Sequence, residues 1–141
     1  MNAASTKKAK VVYEPDMSHR EKHRGESSAA QLVEDNDGRP LGKCSNEIDA
    51  DKAQELLDGG IRWSPASSQG RGSPLPTFVF NTYKGVPYRA HRRGRTRFFH
   101  GFPDVKNRIP RTVRDQLRER AVDEGEEDAF DAWMRQTERY D

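Results

Sequence analysis

The sequence predicts an α+β fold in which a small three-stranded antiparallel meander packs with two or three short helices, after a disordered N-terminal arm. Three short aromatic-rich segments between residues 77 and 100 are separated by two turn signals, which is typical of a meander. Segments with helical periodicity lie on both sides of them. We therefore expect an arm over residues 1–40 and one domain over 41–141, with a loop at 64–76 and an acidic C-terminal helix.

The polar composition is the reason for expecting an arm. Apolar residues make up 32% of the 141 residues, and charged residues make up 34%. Burial in such a chain does not offset the conformational entropy of ordering its whole length. Residues 1–40 show neither strand nor helix periodicity, except that Lys10–Tyr13 could form an edge strand or a docking motif.

The first ordered element is predicted to be a helix over residues 49–58. Asp49 is a suitable N-cap, Ala53 and Leu57 lie on one apolar face, and Gly59 ends the helix. The loop that follows is rich in Ser, Gly and Pro. Ile61 and Trp63 precede this loop, and we expect both to pack onto the core.

Three strands are predicted over residues 77–83, 86–91 and 95–100. The signals between them are Lys84-Gly85 and Arg92-Arg93-Gly94, which are typical of two tight turns. These turns make the three strands consecutive neighbours in an antiparallel sheet.

Two helices are predicted after the strands. The first covers residues 111–124, because Val113, Leu117 and Ala121 recur at i, i+4 and i+8. The second covers residues 126–140, and its large apolar side chains are expected in the core. These side chains are Phe130, Trp133 and Met134.

Charge is distributed unevenly although the formal net charge is only +2. Residues 71–120 contain thirteen Lys or Arg and three acids, whereas residues 121–141 contain eight acids and two arginines. The basic centre predicts an anionic partner. The acidic segment 123–128 could instead fold back on the hairpin and act as an internal brake on binding.

The register of the last two strands decides which side chains share a face. A three-residue loop at 92–94 would pair His91 with Arg95 and Arg89 with Arg97, and would leave the opposite face apolar. Like charges directly opposite each other destabilise a sheet by up to ~1 kcal/mol per pair. Such a basic face therefore indicates an anionic partner or compensation by the chain's own acids.

The candidate anion-binding site is formed by the cations of the hairpin and of the following helix. These residues are Lys84, Arg89, His91, Arg92, Arg93, Arg95, Arg97, Arg111, Arg114 and Arg118. If the turn at 84–85 has two residues, Phe78 and Phe80 fall on the same face as Arg89 and His91. Interleaved arginine and aromatic groups are suited to phosphates and bases.

Three functions fit this pattern, and the first is preferred. It is a non-enzymatic module that binds nucleic acid. The alternative is an interaction or inhibitor protein that docks on an acidic protein surface. The third is a small metal-independent ribonuclease that uses the side chains of the same segment, although the preferred register puts its two histidines on opposite faces. Those side chains are Tyr83, Lys84, Tyr88, Arg89, His91, Arg97 and His100.

Several classes of protein are not expected. Cys44 is the single cysteine, so no internal disulfide can form, which fits a reducing compartment. Residues 1–10 lack the apolar core of a secretory signal, and no apolar segment approaches the ~20 residues that a spanning helix needs. We expect a cytoplasmic protein without integral membrane association, and no motif predicts a metal or a cofactor.

Overall fold

The computed structural model describes residues 10–13, 27–66 and 75–140. The strands are β1 (Val12–Tyr13), β2 (Gln31–Glu34), β3 (Pro40–Lys43), β4 (Ile61–Trp63), β5 (Phe78–Tyr83), β6 (Val86–Arg92) and β7 (Phe98–Pro103). The helices are α1 (Ala50–Asp58), α2 (Arg111–Asp123) and α3 (Glu127–Thr137), with 3₁₀ turns at Lys106–Arg108 and Glu138–Tyr140.

The main sheet has five strands in the order β1-β7-β6-β5-β4, and the α+β class is confirmed. The predicted meander forms its centre, but a three-stranded sheet is an incomplete description. On one edge β4 pairs antiparallel with β5, and on the other β1 pairs parallel with β7. Val12 lies opposite Phe98, so the predicted edge strand at Lys10–Tyr13 is confirmed.

Part of the predicted disordered arm is a strand. β2 pairs antiparallel with β3, and Asp35 shapes the turn between them by accepting hydrogen bonds from the backbone N–H groups of Asp37 and Arg39, both at 2.9 Å. The prediction of disorder is wrong here because side-chain hydrogen bonds stabilise a turn that shows no apolar periodicity. Residues 1–9 and 14–26 of the arm, and 67–74 of the predicted loop, lie outside the described residues.

Helices cover both faces of the main sheet. On one face α1 and the N-terminal segment pack against the central strands. The apolar cluster there contains Val11, Leu57, Val79, Ala90 and Phe99. On the other face α2 packs against β5 and α3 packs against β6. The buried cluster there contains Phe80, Ile109, Val113, Leu117, Ala121 and Phe130. Ile61 and Trp63 of β4 contact the same cluster. The described part of the molecule therefore has three layers, with the sheet in the middle.

The helix predictions are confirmed with small shifts at the ends. Asp49 caps α1 by accepting a hydrogen bond from the backbone N–H of Lys52 at 2.8 Å. In α3, Phe130 and Trp133 are buried as expected. The indole N–H of Trp133 donates to the carbonyl of Asp104 at 2.7 Å, which ties α3 to the segment that follows β7.

The turn between β5 and β6 has two residues, as the 84–85 signal indicates. Tyr83 lies opposite Val86, and Lys84 and Gly85 both have positive φ angles, of 51° and 82°. This conformation matches the twist of a tight hairpin. It fixes the β5–β6 register and places Phe78 opposite His91.

The turn between β6 and β7 is longer than predicted, so the predicted register is wrong. The loop covers residues 93–97, and the backbone N–H of Arg93 donates to the carbonyl of Phe98 at 2.9 Å. His91 lies opposite His100 instead of Arg95. The observed register avoids like-charge pairs in the ladder and buries Phe99 completely.

No helix within the described ranges 10–13, 27–66 and 75–140 is long and apolar enough to cross a membrane.

Candidate nucleic-acid interface

The candidate site begins with a row of four rings that crosses the main sheet. Trp63 in β4 lies opposite Phe78 in β5, Phe78 lies opposite His91 in β6, and His91 lies opposite His100 in β7. Neighbouring ring centroids are 5.8, 5.0 and 6.3 Å apart. Directly opposed residues project to the same face, so each of these strands contributes one ring to what we call the aromatic row.

The aromatic row lies beside the helices. The next row along the strands includes Phe80, which is completely buried in the α2–α3 cluster. In the aromatic row, Trp63 and Phe78 are only half-buried against the same cluster, and His91 is exposed. The helices therefore leave parts of the row accessible to a ligand.

Arg89 lies next to the row, between two aromatic rings. Its guanidinium carbon is 5.0 Å from the ring centroid of Phe78 and 5.4 Å from that of Phe102. Its Nε is 2.8 Å from Oδ2 of Asp104, although the N–H does not align for a straight hydrogen bond. The Arg89 side chain is 19% exposed and that of Asp104 is 2% exposed, so a buried carboxylate holds a partly accessible cation.

Asp104 is also held on its other side. Its Oδ1 accepts a hydrogen bond from the backbone N–H of Val105 at 2.8 Å and lies 3.5 Å from Nη1 of Arg108. Burial raises the pKa of Asp104, and the nearby charge of Arg89 opposes this shift. The carboxylate is thus a fixed anchor for the two arginines.

The electrostatic environment affects His91. Partial desolvation of the ring by its neighbours, and to a smaller degree the charge of Arg89, lower the pKa of His91 below its ordinary value. Both effects disfavour the imidazolium form. The lowered pKa favours the neutral imidazole of His91, which is able to accept a proton.

The loop at 93–97 brings a group of cations to the same end of the sheet as the aromatic row. Arg93, Arg95 and Arg97 are exposed, and the loop directly follows Arg92. The hydroxyl of Thr96 donates to the carbonyl of Arg93 at 2.6 Å, which closes the loop. Arg95 and Arg97 are thus loop residues, and the prediction that they pair with His91 and Arg89 is wrong.

Two of the predicted site residues bind the chain's own acids elsewhere. Lys84 forms an ion pair with Glu47 at the opposite end of β6 from the loop. Arg118 on α2 contacts Asp131 of α3 at 3.0 Å and Glu127 at 2.5 Å. These ion pairs place both cations outside the aromatic row.

The remaining candidates divide into two sets. Arg111 is exposed and Arg114 is half-buried, and both lie on α2. The structure brings the other predicted residues together around the row and the loop. That set contains Arg89, His91, Arg92, Arg93, Arg95 and Arg97.

The acidic segment lies away from this set. A Cβ atom at Gly85 would be 2.7 Å from the carbonyl oxygen of Glu126, so the 84–85 turn abuts the start of α3. The 84–85 turn and the 93–97 loop lie at opposite ends of β6, about 20 Å apart at ~3.3 Å per residue. The predicted fold-back of the acidic segment onto the basic hairpin is therefore wrong for the 93–97 loop.

Sequence reasoning missed several residues of the site. Trp63 was assigned to the core because a three-residue strand is too short to show alternation. His100 was assigned to the opposite face from His91 because the predicted loop was too short, and Phe102 lies beyond the predicted third strand. Asp104 follows β7 and carries no local signal that it binds an arginine distant in sequence.

The side chains of this surface are chemically suited to contacts with anions and flat rings. Arginine presents donors that fit phosphate, and aromatic faces stack on bases. Within the residues that the structure describes, no group of three or more His, Cys, Asp or Glu side chains is arranged to hold a metal ion.

Comparison with known proteins finds no matching family model, no similar curated protein and no similar solved structure.

Proposed function

We propose that the protein is a binding module for single-stranded nucleic acid, with bases on the aromatic row and phosphates on the neighbouring arginines. The observation that carries this proposal is the alignment of Trp63, Phe78, His91 and His100 in one row, a ring from each of four strands. A cross-strand row of rings on a sheet provides a stacking surface for unpaired bases.

The cations complete this surface. Arg89 is held beside the row by Asp104, and the exposed arginines of the 93–97 loop lie at the same end of the sheet. A strand whose bases stack on the row would thus bring its phosphates near these guanidinium groups. An acidic protein surface would need the cations alone, so the accessible parts of the aromatic row favour nucleic acid over the alternative partner.

The first test measures binding of a fluorescent single-stranded RNA and of the matching DNA to the full chain across a salt series. The logarithm of the affinity should fall linearly with the logarithm of salt concentration, by about 0.7 per phosphate contact. No binding at about 50 mM salt, or binding that does not depend on salt, would contradict the proposal.

The contribution of the loop is tested by replacing Arg93, Arg95 and Arg97 with Gln. The salt slope should decrease by about 2 if each arginine contacts one phosphate. The matched control replaces Lys52, Arg135 and Arg139 with Gln, which removes the same charge from α1 and the C-terminal region. Equal effects of the two triple variants would show that only net charge matters.

The contribution of the row is tested with Phe78→Leu and His91→Ala. Leu keeps most of the apolar contact with the core, and His91 is exposed, so both variants should fold. Each should weaken binding about 5- to 150-fold, which corresponds to ~1–3 kcal/mol per stacked base. The control is Tyr83→Leu, whose ring lies at the other end of β5. Unchanged affinity in both row variants would contradict the stacking surface.

A further inference from the structure

Two histidines face each other in the aromatic row. His91 and His100 are directly opposite in the β6–β7 ladder, and their ring centroids are 6.3 Å apart with planes at 59°. Arg89 lies two residues before His91 on the same face, with its guanidinium between Phe78 and Phe102. Two imidazoles and an arginine therefore share one partly open surface.

This set of groups matches the needs of one reaction. The 2′-hydroxyl of RNA can attack the adjacent 3′-phosphate. The reaction needs a base that removes the hydroxyl proton, an acid that protonates the leaving oxygen, and a cation that stabilises the negative charge on the phosphate oxygens. Histidine exchanges its proton near neutral pH, so two histidines can supply both the base and the acid.

We propose that the aromatic row is also the active site of a metal-independent ribonuclease, in which His91 is the general base, His100 is the general acid and Arg89 binds the phosphate. This inference rests on the proposed function, because the RNA must first bind on the row. The substrate class is single-stranded RNA, since the reaction uses the 2′-hydroxyl and the row requires unpaired bases.

The reaction step is a transesterification. The imidazole of His91 accepts the proton of the 2′-hydroxyl, and the 2′ oxygen forms a bond to phosphorus. The bond between phosphorus and the 5′ oxygen breaks, and the imidazolium of His100 gives its proton to that oxygen. The products are a 2′,3′-cyclic phosphate and a 5′-hydroxyl, and proton exchange with water restores both histidines.

The environment supports this division of roles. Partial desolvation and the charge of Arg89 favour the neutral form of His91 by lowering its pKa, as a base requires. Asp104 is a positioning residue, because it contacts Arg89 and not the row. It keeps the guanidinium beside the two imidazoles.

The test incubates the full chain with a single-stranded RNA labelled at both ends. Cleavage should leave 2′,3′-cyclic phosphate ends and should stop when each 2′-hydroxyl is replaced by a 2′-O-methyl group. His91→Gln and His100→Gln should each reduce the rate at least 100-fold, which is the low end for loss of an acid–base group. The rates are compared at saturating protein, so that any loss of affinity in these variants, measured separately with the 2′-O-methyl RNA, does not enter the comparison.

The matched control replaces the other two histidines of the chain, His19 and His23, with Gln and should cleave like the wild type. Binding of RNA without cleavage, or equal cleavage by all variants, would overturn the ribonuclease while leaving the binding module in place. Absence of RNA binding would overturn the proposed function itself, and the two failures are therefore distinguishable.

Discussion

At the scale of single residues, the buried carboxylate of Asp104 positions Arg89 beside the aromatic row. Its side chain is 2% exposed, and it holds Arg89 at 2.8 Å and Arg108 at 3.5 Å. Removing a carboxylate from water is costly, and ion pairing recovers only part of that cost. Burial raises the pKa of Asp104, and the charges of Arg89 and Arg108 oppose this shift. The pair therefore positions Arg89 more than it stabilises the fold.

This balance predicts an unusual pH dependence. A carboxyl whose pKa is raised on folding binds more protons in the folded state, so its contribution to stability is lost as pH rises from its ordinary value of 3.8 through the folded pKa. The unfolding free energy of the wild type, relative to Asp104→Asn, should fall across this range in urea denaturation from pH 3.5 to about 7. If this difference in unfolding free energy instead rose with pH, the attraction of Arg89 would have a larger effect on the pKa of Asp104 than burial has.

At the scale of elements, the β5–β6 turn controls how the hairpin meets α3. Gly85 has a φ of 82°, and a Cβ atom there would lie 2.7 Å from the carbonyl oxygen of Glu126 and 2.9 Å from Cβ of Ala129. Glycine is therefore required twice at this position, for the left-handed backbone and for the close approach of α3. The turn fixes both the β5–β6 register and the position of the last helix.

Gly85→Ala should consequently destabilise the protein more than a glycine replacement that meets no neighbour. The matched control is Gly125→Ala, because Gly125 has a similar φ of 75° but nothing within 4 Å of its Cβ position. We expect a loss of about 1 kcal/mol for Gly125→Ala from the left-handed backbone, and about 3 kcal/mol for Gly85→Ala when the overpacking is added. If the two variants had equal midpoints in urea denaturation, the result would contradict the close contact between Gly85 and α3.

The elements that the sequence predicted well are those with local signals. Asp49 caps α1 by accepting a hydrogen bond from the first turn of the same helix. The apolar repeat of α2 is likewise visible in its own sequence, without reference to the sheet. β4 was not predicted, and β1 was predicted only as one of two alternatives. Strands of three and two residues gain their stability from partners distant in sequence, so they carry little local signal. The β2–β3 hairpin was missed because β2 is mostly exposed and neither of these four-residue strands shows apolar alternation.

The candidate site was predicted in part for the same reason. The two-residue turn correctly placed Phe78 and Phe80 on the face of Arg89 and His91. The partner of His91 depended on the length of the next loop, which is set by the hydroxyl of Thr96 and by burial of Phe99. The predicted register was wrong by five residues, which put Arg95 in the place of His100 opposite His91. The two histidines were therefore predicted on opposite faces, which argued against the ribonuclease hypothesis.

At the scale of the whole molecule, the charges are arranged along the long axis of β6. The exposed arginines of the 93–97 loop lie at one end, and the acidic start of α3 abuts the 84–85 turn at the other. Two of the acids at that end form ion pairs, since Glu127 contacts Arg118 at 2.5 Å and Glu47 pairs with Lys84. The uneven charge distribution of the sequence thus gives the fold a charge polarity, with basic residues at one end of β6 and acidic residues at the other.

This polarity predicts that the acidic segment does not compete with an anionic ligand. The separation of about 20 Å between the two ends exceeds the ~8 Å screening length at physiological salt. Replacing Asp123, Glu124 and Asp128 with their amides should therefore change the affinity for single-stranded RNA less than about twofold at 0.15 M salt.

Substitution is preferable to truncation here, because α3 supplies buried Phe130 and Trp133 to the core. Replacing Arg93, Arg95 and Arg97 with Gln serves as the positive control, because it must weaken binding in the same assay. A tenfold tightening in the amide variant would show that the acidic segment reaches the loop. In that case the charge polarity observed in the fold would not persist in solution.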